Sequence, residues 1–175
     1  MLIRNFYLKL LLLLILSVPV ISSETDKKEV ETKRSGFWTY YCIDSNDKKE
    51  CKIARKINIE EKNETFLIMY NVTKKNNSKP EENLSITTPP TPKINIKKRL
   101  NIGFDNKTKF TRSFSKCEDT GCLAIFKSYK MLKYSLINFN KIKITFYFTG
   151  DKDSTSLTLA LDGFSEALKN INQQL

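Results

Sequence analysis

Residues 141–161 read KIKITFYFTGDKDSTSLTLAL and contain the clearest structural signal in the chain. Apolar side chains occupy every second position of residues 142–148 and again of residues 157–161. This alternation is typical of strands that bury one face and expose the other. Because Gly150 and Asp151 can form a turn between the two halves, the stretch predicts an antiparallel β-hairpin.

Short apolar runs separated by turn-forming residues extend this pattern back to Gly36. Their spacing is typical of an antiparallel β-sandwich or barrel. A polar stretch at residues 73–83, which contains Pro80, predicts a loop. The candidate strands cover residues 37–43, 51–59, 65–72, 84–87, 94–104 with a bulge near Lys97-Lys98, 110–114 and 123–127.

The period changes after Gly163, near the end of the chain. Phe164, Leu168 and Ile171 stand at positions i, i+4 and i+7, which predicts a C-terminal helix with one face against the sheet. Residues 131–139 also have helical spacing, but the segment is short. It therefore stays ambiguous between helix and strand.

The first 22 residues have the order of a secretory signal peptide. Arg4 and Lys9 precede an apolar run at residues 10–21, and small and charged residues follow. The run is about twelve residues long, whereas a membrane-spanning helix needs about 20, so a retained anchor is the weaker interpretation. We expect three parts: a signal peptide at 1–22, a flexible polar lead-in at 23–35, and one β-sandwich domain at 36–175.

The net charge is +11, and removal of Arg4 and Lys9 with the signal peptide lowers it to +9. Lysine runs such as Lys48-Lys49 and Lys74-Lys75 are interpreted first as solvated surface. Their functional interpretation is attraction to anionic lipid headgroups or cell-surface polymers. Nucleic acid is a poor partner for an exported protein without a recognition motif, and no second apolar stretch predicts a membrane span.

All four cysteines, Cys42, Cys51, Cys117 and Cys122, follow the signal peptide. An even number in an exported protein predicts two disulfides, although three pairings are open. We favour the local pairs, because each flanks a short polar loop. A zinc site or a redox centre would more often show C-x-x-C spacing, whereas the intervals here are eight and four residues.

The chain contains no histidine. This excludes Ser-His-Asp and Cys-His nucleophiles, histidine general bases and histidine-rich metal sites. Paired acidic residues at Asp151/Asp153, Glu60/Glu61 and Glu81/Glu82 are interpreted as solvated loop charges. We therefore expect no catalytic site, no metal site and no cofactor.

Several sequence pieces together resemble the invasion-associated locus B family of bacterial exported proteins. In chain order they are Gly36-Phe-Trp-Thr39, the Cys42 and Cys51 pair, Leu84-x-Ile-x-x-Pro89, Gly103-Phe-Asp105, Cys117-Glu-Asp-Thr-Gly-Cys-Leu-Ala124 and Leu161-Asp-Gly-Phe-Ser-Glu-Ala-Leu168. The similarity covers residues 36 to about 171. The chain departs from the family in its high lysine content and in the proline segment at residues 88–92.

The resemblance implies an immunoglobulin-like antiparallel β-sandwich in the periplasm or at the cell surface. It also implies a link to host-cell invasion in pathogenic members. The family supplies no enzymatic activity and no ligand, so only the cysteine pairs are transferred to this chain.

Three hypotheses about function follow from these observations. The favoured hypothesis is a non-enzymatic envelope protein that acts through surface interactions with an unknown envelope or host-surface protein or with anionic surface polymers. The alternative is a secreted hydrolase, which would need two carboxylates about 5–10 Å apart in one pocket. Thiol exchange at Cys117 and Cys122 is a third hypothesis.

Overall fold

The computed structural model describes most of the chain after the expected signal peptide. The described residues are 30–45, 47–59, 63–76, 78–90, 93–105, 108–127 and 130–175. The predicted signal peptide at 1–22 and residues 23–29 of the predicted lead-in lie outside this part.

Eleven strands and two helices form the described structure. The strands are β1 (Lys33–Ser35), β2 (Trp38–Ser45), β3 (Lys48–Ile59), β4 (Glu64–Lys75), β5 (Glu81–Thr88), β6 (Leu100–Gly103), β7 (Lys109–Arg112), β8 (Lys116–Glu118), β9 (Gly121–Lys127), β10 (Lys141–Phe146) and β11 (Thr155–Ala160). The helices are α1 (Lys130–Asn138) and α2 (Phe164–Asn172). No helix of the described residues is both long enough and apolar enough to cross a membrane.

The strands form two antiparallel sheets. The large sheet has the order β1-β2-β3-β4-β5-β9-β8, so its first five strands follow one another along the chain as a meander. The small sheet has the order β11-β10-β6-β7. The prediction of a mainly β, antiparallel sandwich with a short C-terminal helix is confirmed.

The hairpin predicted from residues 141–161 is confirmed as β10 and β11. Ile142 is opposite Leu159 and Ile144 is opposite Leu157, so the alternating apolar side chains share one face. That face packs onto the large sheet, where the rings of Phe66 on β4 and Phe146 on β10 have centroids 4.6 Å apart. The core therefore lies between the two sheets.

The C-terminal helix covers the part of the large sheet that the small sheet leaves open. Phe164, at the start of α2, contacts Trp38 and Tyr70 edge-to-face, with ring centroids 5.1 and 5.5 Å apart. All three side chains are fully buried. Because each large apolar side chain contributes about 1.5–3 kcal/mol when buried, this cluster fixes α2 against β2 and β4.

Two glycines allow the turn before α2 to touch the turn between β1 and β2. Gly36 and Gly163 have φ values of +54° and +86°, which favour glycine. A Cβ on Gly163 would lie 2.2 Å from the carbonyl oxygen of Ser35, and one on Gly36 would lie 2.5 Å from that of Asp162. The two backbones are therefore in direct contact, without room for a side chain on either glycine.

The structure corrects the predicted start of the ordered domain. Residues 33–35, which were expected to belong to the flexible lead-in, form β1 and pair with β2. Ser35 is buried, and its hydroxyl donates a 2.7 Å hydrogen bond to the carboxylate of Glu166 on α2. Backbone pairing and this bond order a segment whose composition is polar.

The prediction of one continuous strand at residues 94–104 is wrong. The side-chain oxygen of Asn95 accepts a hydrogen bond from the backbone N–H of Lys97, and the backbone carbonyl of Asn95 accepts one from the backbone N–H of Lys98. The chain therefore turns at this point. Ile94 makes only an isolated bridge to Phe148, and β6 begins at Leu100.

The loop expected at residues 73–83 is shorter than predicted. Strand β4 continues to Lys75 and β5 starts at Glu81, because backbone pairing persists beyond the buried residues. The ambiguous segment at 131–139 is mostly helix α1, which buries Leu132 and Leu136 at helical spacing.

Arg55 is the polar exception on the apolar side of β3. Its Nη1 atom donates a 2.5 Å hydrogen bond to the carbonyl of Ala160 on β11, and its guanidinium lies 4.6 Å from the ring centroid of Phe37. Burial lowers the pKa of the Arg55 guanidinium, and the carboxylate of Asp162 acts in the opposite direction. Arg55 thus joins the large sheet to the end of the small sheet.

We predict that Gly163→Ala lowers the free energy of unfolding by about 2–4 kcal/mol, because the new Cβ collides with the Ser35 carbonyl at a positive φ. Gly150→Ala is the matched control. Gly150 also has a positive φ, +91°, but no atom of the described residues lies within 4 Å of the place where an added Cβ would stand. The expected loss in the free energy of unfolding is therefore only about 1–2 kcal/mol. Urea unfolding measures both. Equal losses would contradict the proposed backbone contact.

We predict that Arg55→Met lowers the free energy of unfolding by about 1–3 kcal/mol, because it removes a charged hydrogen bond and a cation–π contact while keeping an apolar stem. Lys56→Met changes the next residue, whose side chain is exposed, and should change the stability by less than about 0.5 kcal/mol. Thermal unfolding followed by circular dichroism compares the two variants. A loss at position 56 as large as that at position 55 would refute the inter-sheet role.

Candidate functional site

The structure places the four predicted site cysteines in two separate cross-strand disulfides. Cys42 on β2 is bonded to Cys51 on β3, and Cys117 on β8 to Cys122 on β9, with 4.0 Å between Cα atoms in each pair. These are the local pairs favoured from the sequence. Cys51 and Cys122 are fully buried, which limits the access that thiol exchange requires. Each disulfide therefore serves as a staple within one hairpin.

The second disulfide loop is pressed against the end of β5. Gly121 has a φ of +145°, and a Cβ there would lie 2.3 Å from the carbonyl oxygen of Thr88. The buried hydroxyl of Thr88 in turn donates a 3.2 Å hydrogen bond to the carbonyl of Cys122. The sequence piece from Cys117 to Ala124 therefore fixes the turn between β8 and β9 against the end of β5.

The partly buried carboxylates of the described residues form ion pairs with lysines. Glu82 accepts a hydrogen bond from the Tyr70 hydroxyl at 2.8 Å and lies 2.5 Å from Nζ of Lys133 on α1. Glu64 lies 2.6 Å from Nζ of Lys93. Each carboxylate therefore stabilises a contact between two segments.

The other acidic pairs noted in the sequence do not form a pocket. Asp151 and Asp153 are exposed in the turn between β10 and β11, and Glu60/Glu61 lie outside the described residues. Each of the four most pronounced grooves on the described surface has at most one side-chain carboxylate in its lining. No group of three or more potential metal-ligating side chains occurs in the described part of the chain.

One basic groove lies at the tip of the large sheet and encloses about 820 Å³. The pairing of β3 and β4 places Lys48 opposite Lys75 and Lys49 opposite Lys74, an arrangement that repulsion disfavours. Three of these four lysines have partners within the protein: Glu50 for Lys48, Asp44 for Lys49 and the backbone oxygen of Leu175 for Lys74. Most of this charge is therefore already compensated.

A second basic groove, of about 360 Å³, lies on the outer face of the small sheet. Gly103 on β6 is directly opposite Lys109 on β7 and Lys143 on β10, so the three residues form one row across the sheet. Lys141 lies two residues before Lys143, on the same face. None of these three lysines makes an ion pair with another described residue.

Polar uncharged side chains complete this groove. Asn101, Thr145 and Thr158 line it together with the lysines, and Asp105 is its single carboxylate. The volume falls in the range of about 300–1,000 Å³ that is usual for ligand-binding clefts. The groove offers ammonium, hydroxyl and amide groups on one open face.

The small sheet differs from the large sheet in charge. Its four strands contain four basic residues and no acidic residue, the basic ones being Lys109, Arg112, Lys141 and Lys143. The strands of the large sheet contain both signs, and their acidic residues are Asp44, Glu50, Glu64, Glu81, Glu82 and Glu118. The strands of the small sheet therefore contribute only positive charge to its outer face, and Asp105, which follows the end of β6, is the single carboxylate of the groove.

Sequence reasoning did not identify this groove as a site. Lys141 and Lys143 occupy polar positions of the predicted 141–161 hairpin. The sequence does contain a signal, because residues 94–104, 109–114 and 141–149 include no acidic residue although the whole chain has 19 acidic residues. Strand pairing then brings these segments together.

The comparisons with known proteins agree with this fold. A solved structure, the crystal structure of invasion associated protein B from Bartonella henselae, superposes with a TM-score of 0.66 at 22% sequence identity. The match covers 82% of this chain and 97% of that one, and at this identity it shows the fold alone. None of the curated proteins matches the chain.

A family model matches residues 38–172, which include the described strands from β2 onward and both helices. The matched range begins at Trp38, the ring against which Phe164 packs, and ends with the last residue of α2. The chain therefore belongs to the family described as invasion associated locus B (IalB) protein.

Proposed function

We propose that this protein is exported and acts without catalysis in the bacterial envelope, in the periplasm or at the cell surface, through contacts made by its surface. The observation that carries the proposal is the pair of disulfides, one in each of two hairpins of the same sheet. Disulfides persist mainly in oxidising compartments. The order of residues 1–22, typical of a cleaved leader, supports the same location.

The chemistry of the described side chains supports a binding role. The chain has no histidine, and Glu64 and Glu82 hold lysines of neighbouring segments. The small sheet, by contrast, presents unpaired lysines on an open face. A protein with this distribution is better suited to holding a partner than to transforming a substrate.

The family adds a biological setting to the proposal. The matching family and the solved Bartonella henselae protein are both described as invasion associated. We extend the proposal to contacts with a host-cell surface, with a surface protein or an anionic polymer as the partner. The membership of the chain in this family and its net charge of +11 support this extension.

We predict that a C-terminally tagged full-length chain appears in the envelope or extracellular fraction as a shortened, oxidised form. A variant with Leu12→Arg and Leu14→Arg interrupts the apolar run and should leave the unprocessed chain in the cytoplasm. Immunoblotting of cell fractions and mass spectrometry of the N-terminus measure both outcomes. Cytoplasmic retention of the unaltered chain would refute the proposed location.

We predict that reduction of the two disulfides lowers the free energy of unfolding by about 2–3 kcal/mol per bridge, because each closes a short loop of the unfolded chain. The double variants Cys42→Ala/Cys51→Ala and Cys117→Ala/Cys122→Ala separate the two contributions. Urea unfolding with and without reductant measures them. Unchanged stability after reduction would mean that the protein does not depend on an oxidising compartment.

A further inference from the structure

The lysines of the small sheet are not explained by protection of a sheet edge. Charged side chains often stand on edge strands, where they prevent pairing with another chain. Lys109 lies on β7, an edge strand, but Lys141 and Lys143 lie on β10, which is paired with β11 on one side and β6 on the other. Protection of an edge therefore does not account for the two lysines on the exposed side of β10.

Gly103 forms an open floor between two of these lysines. Adjacent strands are about 4.8 Å apart, so the Cα atoms of Lys109 and Lys143 are about 10 Å apart across Gly103. Among the described residues, a Cβ at Gly103 would meet only the carbonyl oxygens of Thr108 and Asp105, at 3.6 and 3.9 Å, which are ordinary contacts. Unlike Gly163, Gly103 is not required by backbone geometry. Its absent side chain leaves the space between the lysines free.

The groups that line the groove select the chemistry of a ligand. A cradle for a single phosphate usually relies on free backbone N–H groups at a helix N-terminus or in a nest, whereas β6 and β10 lie inside the sheet ladder. The charge here comes from lysine side chains spread along and across the strands. Thr158 adds a hydroxyl group, and the side chains of Asn101 and Thr145, which also bond Thr111 and Ser156 within the sheet, keep further hydrogen-bonding capacity for sugar hydroxyls.

From these observations we infer that the outer face of the small sheet binds a linear anionic polysaccharide, whose acidic groups pair with Lys109, Lys141 and Lys143 and whose chain crosses the floor at Gly103. This inference rests on the proposed function and specifies its partner. Extension of the β6–β10 register places Asp105 beside Lys141, and the Oδ1 atom of Asp105 accepts a hydrogen bond from the backbone N–H of Thr108. The row of Lys143, Gly103 and Lys109 contains no carboxylate, so the acidic groups of the polymer pair mainly with this row.

The test measures binding of fluorescent dextran sulfate to the oxidised protein by anisotropy, with neutral dextran as the probe that shares its sugar backbone. The triple variant K109Q/K141Q/K143Q should weaken binding by at least about tenfold, because clefts of one charge sign concentrate their ligands strongly. The control K56Q/K75Q/K127Q removes three exposed lysines from the large sheet and should weaken the binding of dextran sulfate much less. Equal losses in both variants would overturn the inference, because net charge alone would then explain binding.

A second pair of variants tests the floor of the groove. Gly103→Glu places a carboxylate between the two lysines and should abolish binding, whereas Gly103→Gln fills the same space without charge and should retain part of it. Both should fold, because Gly103 has neither a positive φ nor a close neighbour, and circular dichroism verifies this. Full binding by Gly103→Glu would overturn the inference.

Competition identifies the source of the anion. Inorganic phosphate, or vesicles rich in phosphatidylglycerol, should displace dextran sulfate no better than chloride at equal ionic strength. Displacement by either would overturn the inference and assign the face to phosphate or to a membrane. Absence of dextran sulfate binding in a correctly exported protein rejects only this inference, whereas cytoplasmic retention rejects the proposed function.

Discussion

The contact of the Gly163 backbone with Ser35 and Gly36 is the constraint on which the rest of the structure depends. It joins the turn between β1 and β2 to the turn between β11 and α2, and so connects both sheets to the helix. Because Phe164 follows Gly163 directly, the contact also determines where α2 starts against Trp38. The hydrogen bond from Asn170 to the Tyr40 hydroxyl, at 2.9 Å, holds the other end of the helix.

Four of the six sequence pieces that resemble the family meet in two pairs at contacts between segments, whereas the piece Gly103-Phe-Asp105 lines the groove of the small sheet. The piece that contains Gly163 meets the piece that contains Gly36, and the second cysteine pair meets the end of the central Leu84–Pro89 segment through Gly121 and Thr88. Pieces that meet in this way specify how the segments pack. Their presence therefore identifies the fold, while the ligand has to be inferred from the faces themselves.

Much of the fold could be predicted because the deciding signals are local. The alternation in residues 141–161 and the helical period after Gly163 are visible without knowledge of the rest of the chain. The turn at residues 95–98 could not be predicted, because it depends on one side-chain hydrogen bond of Asn95. The groove on the small sheet was missed for a different reason. Its residues are far apart in sequence, and only the register between β6, β7 and β10 brings them together.

The short separation of the cysteines in each pair has a consequence for how the protein matures. The bonded cysteines are nine and five residues apart, and the entropy cost of closing a loop rises with its length. Each bridge can therefore form within its own hairpin, β2–β3 or β8–β9, as soon as that hairpin is paired under oxidising conditions. Neither bridge has to wait for a distant cysteine, so oxidative refolding is expected to need little reshuffling of mispaired intermediates.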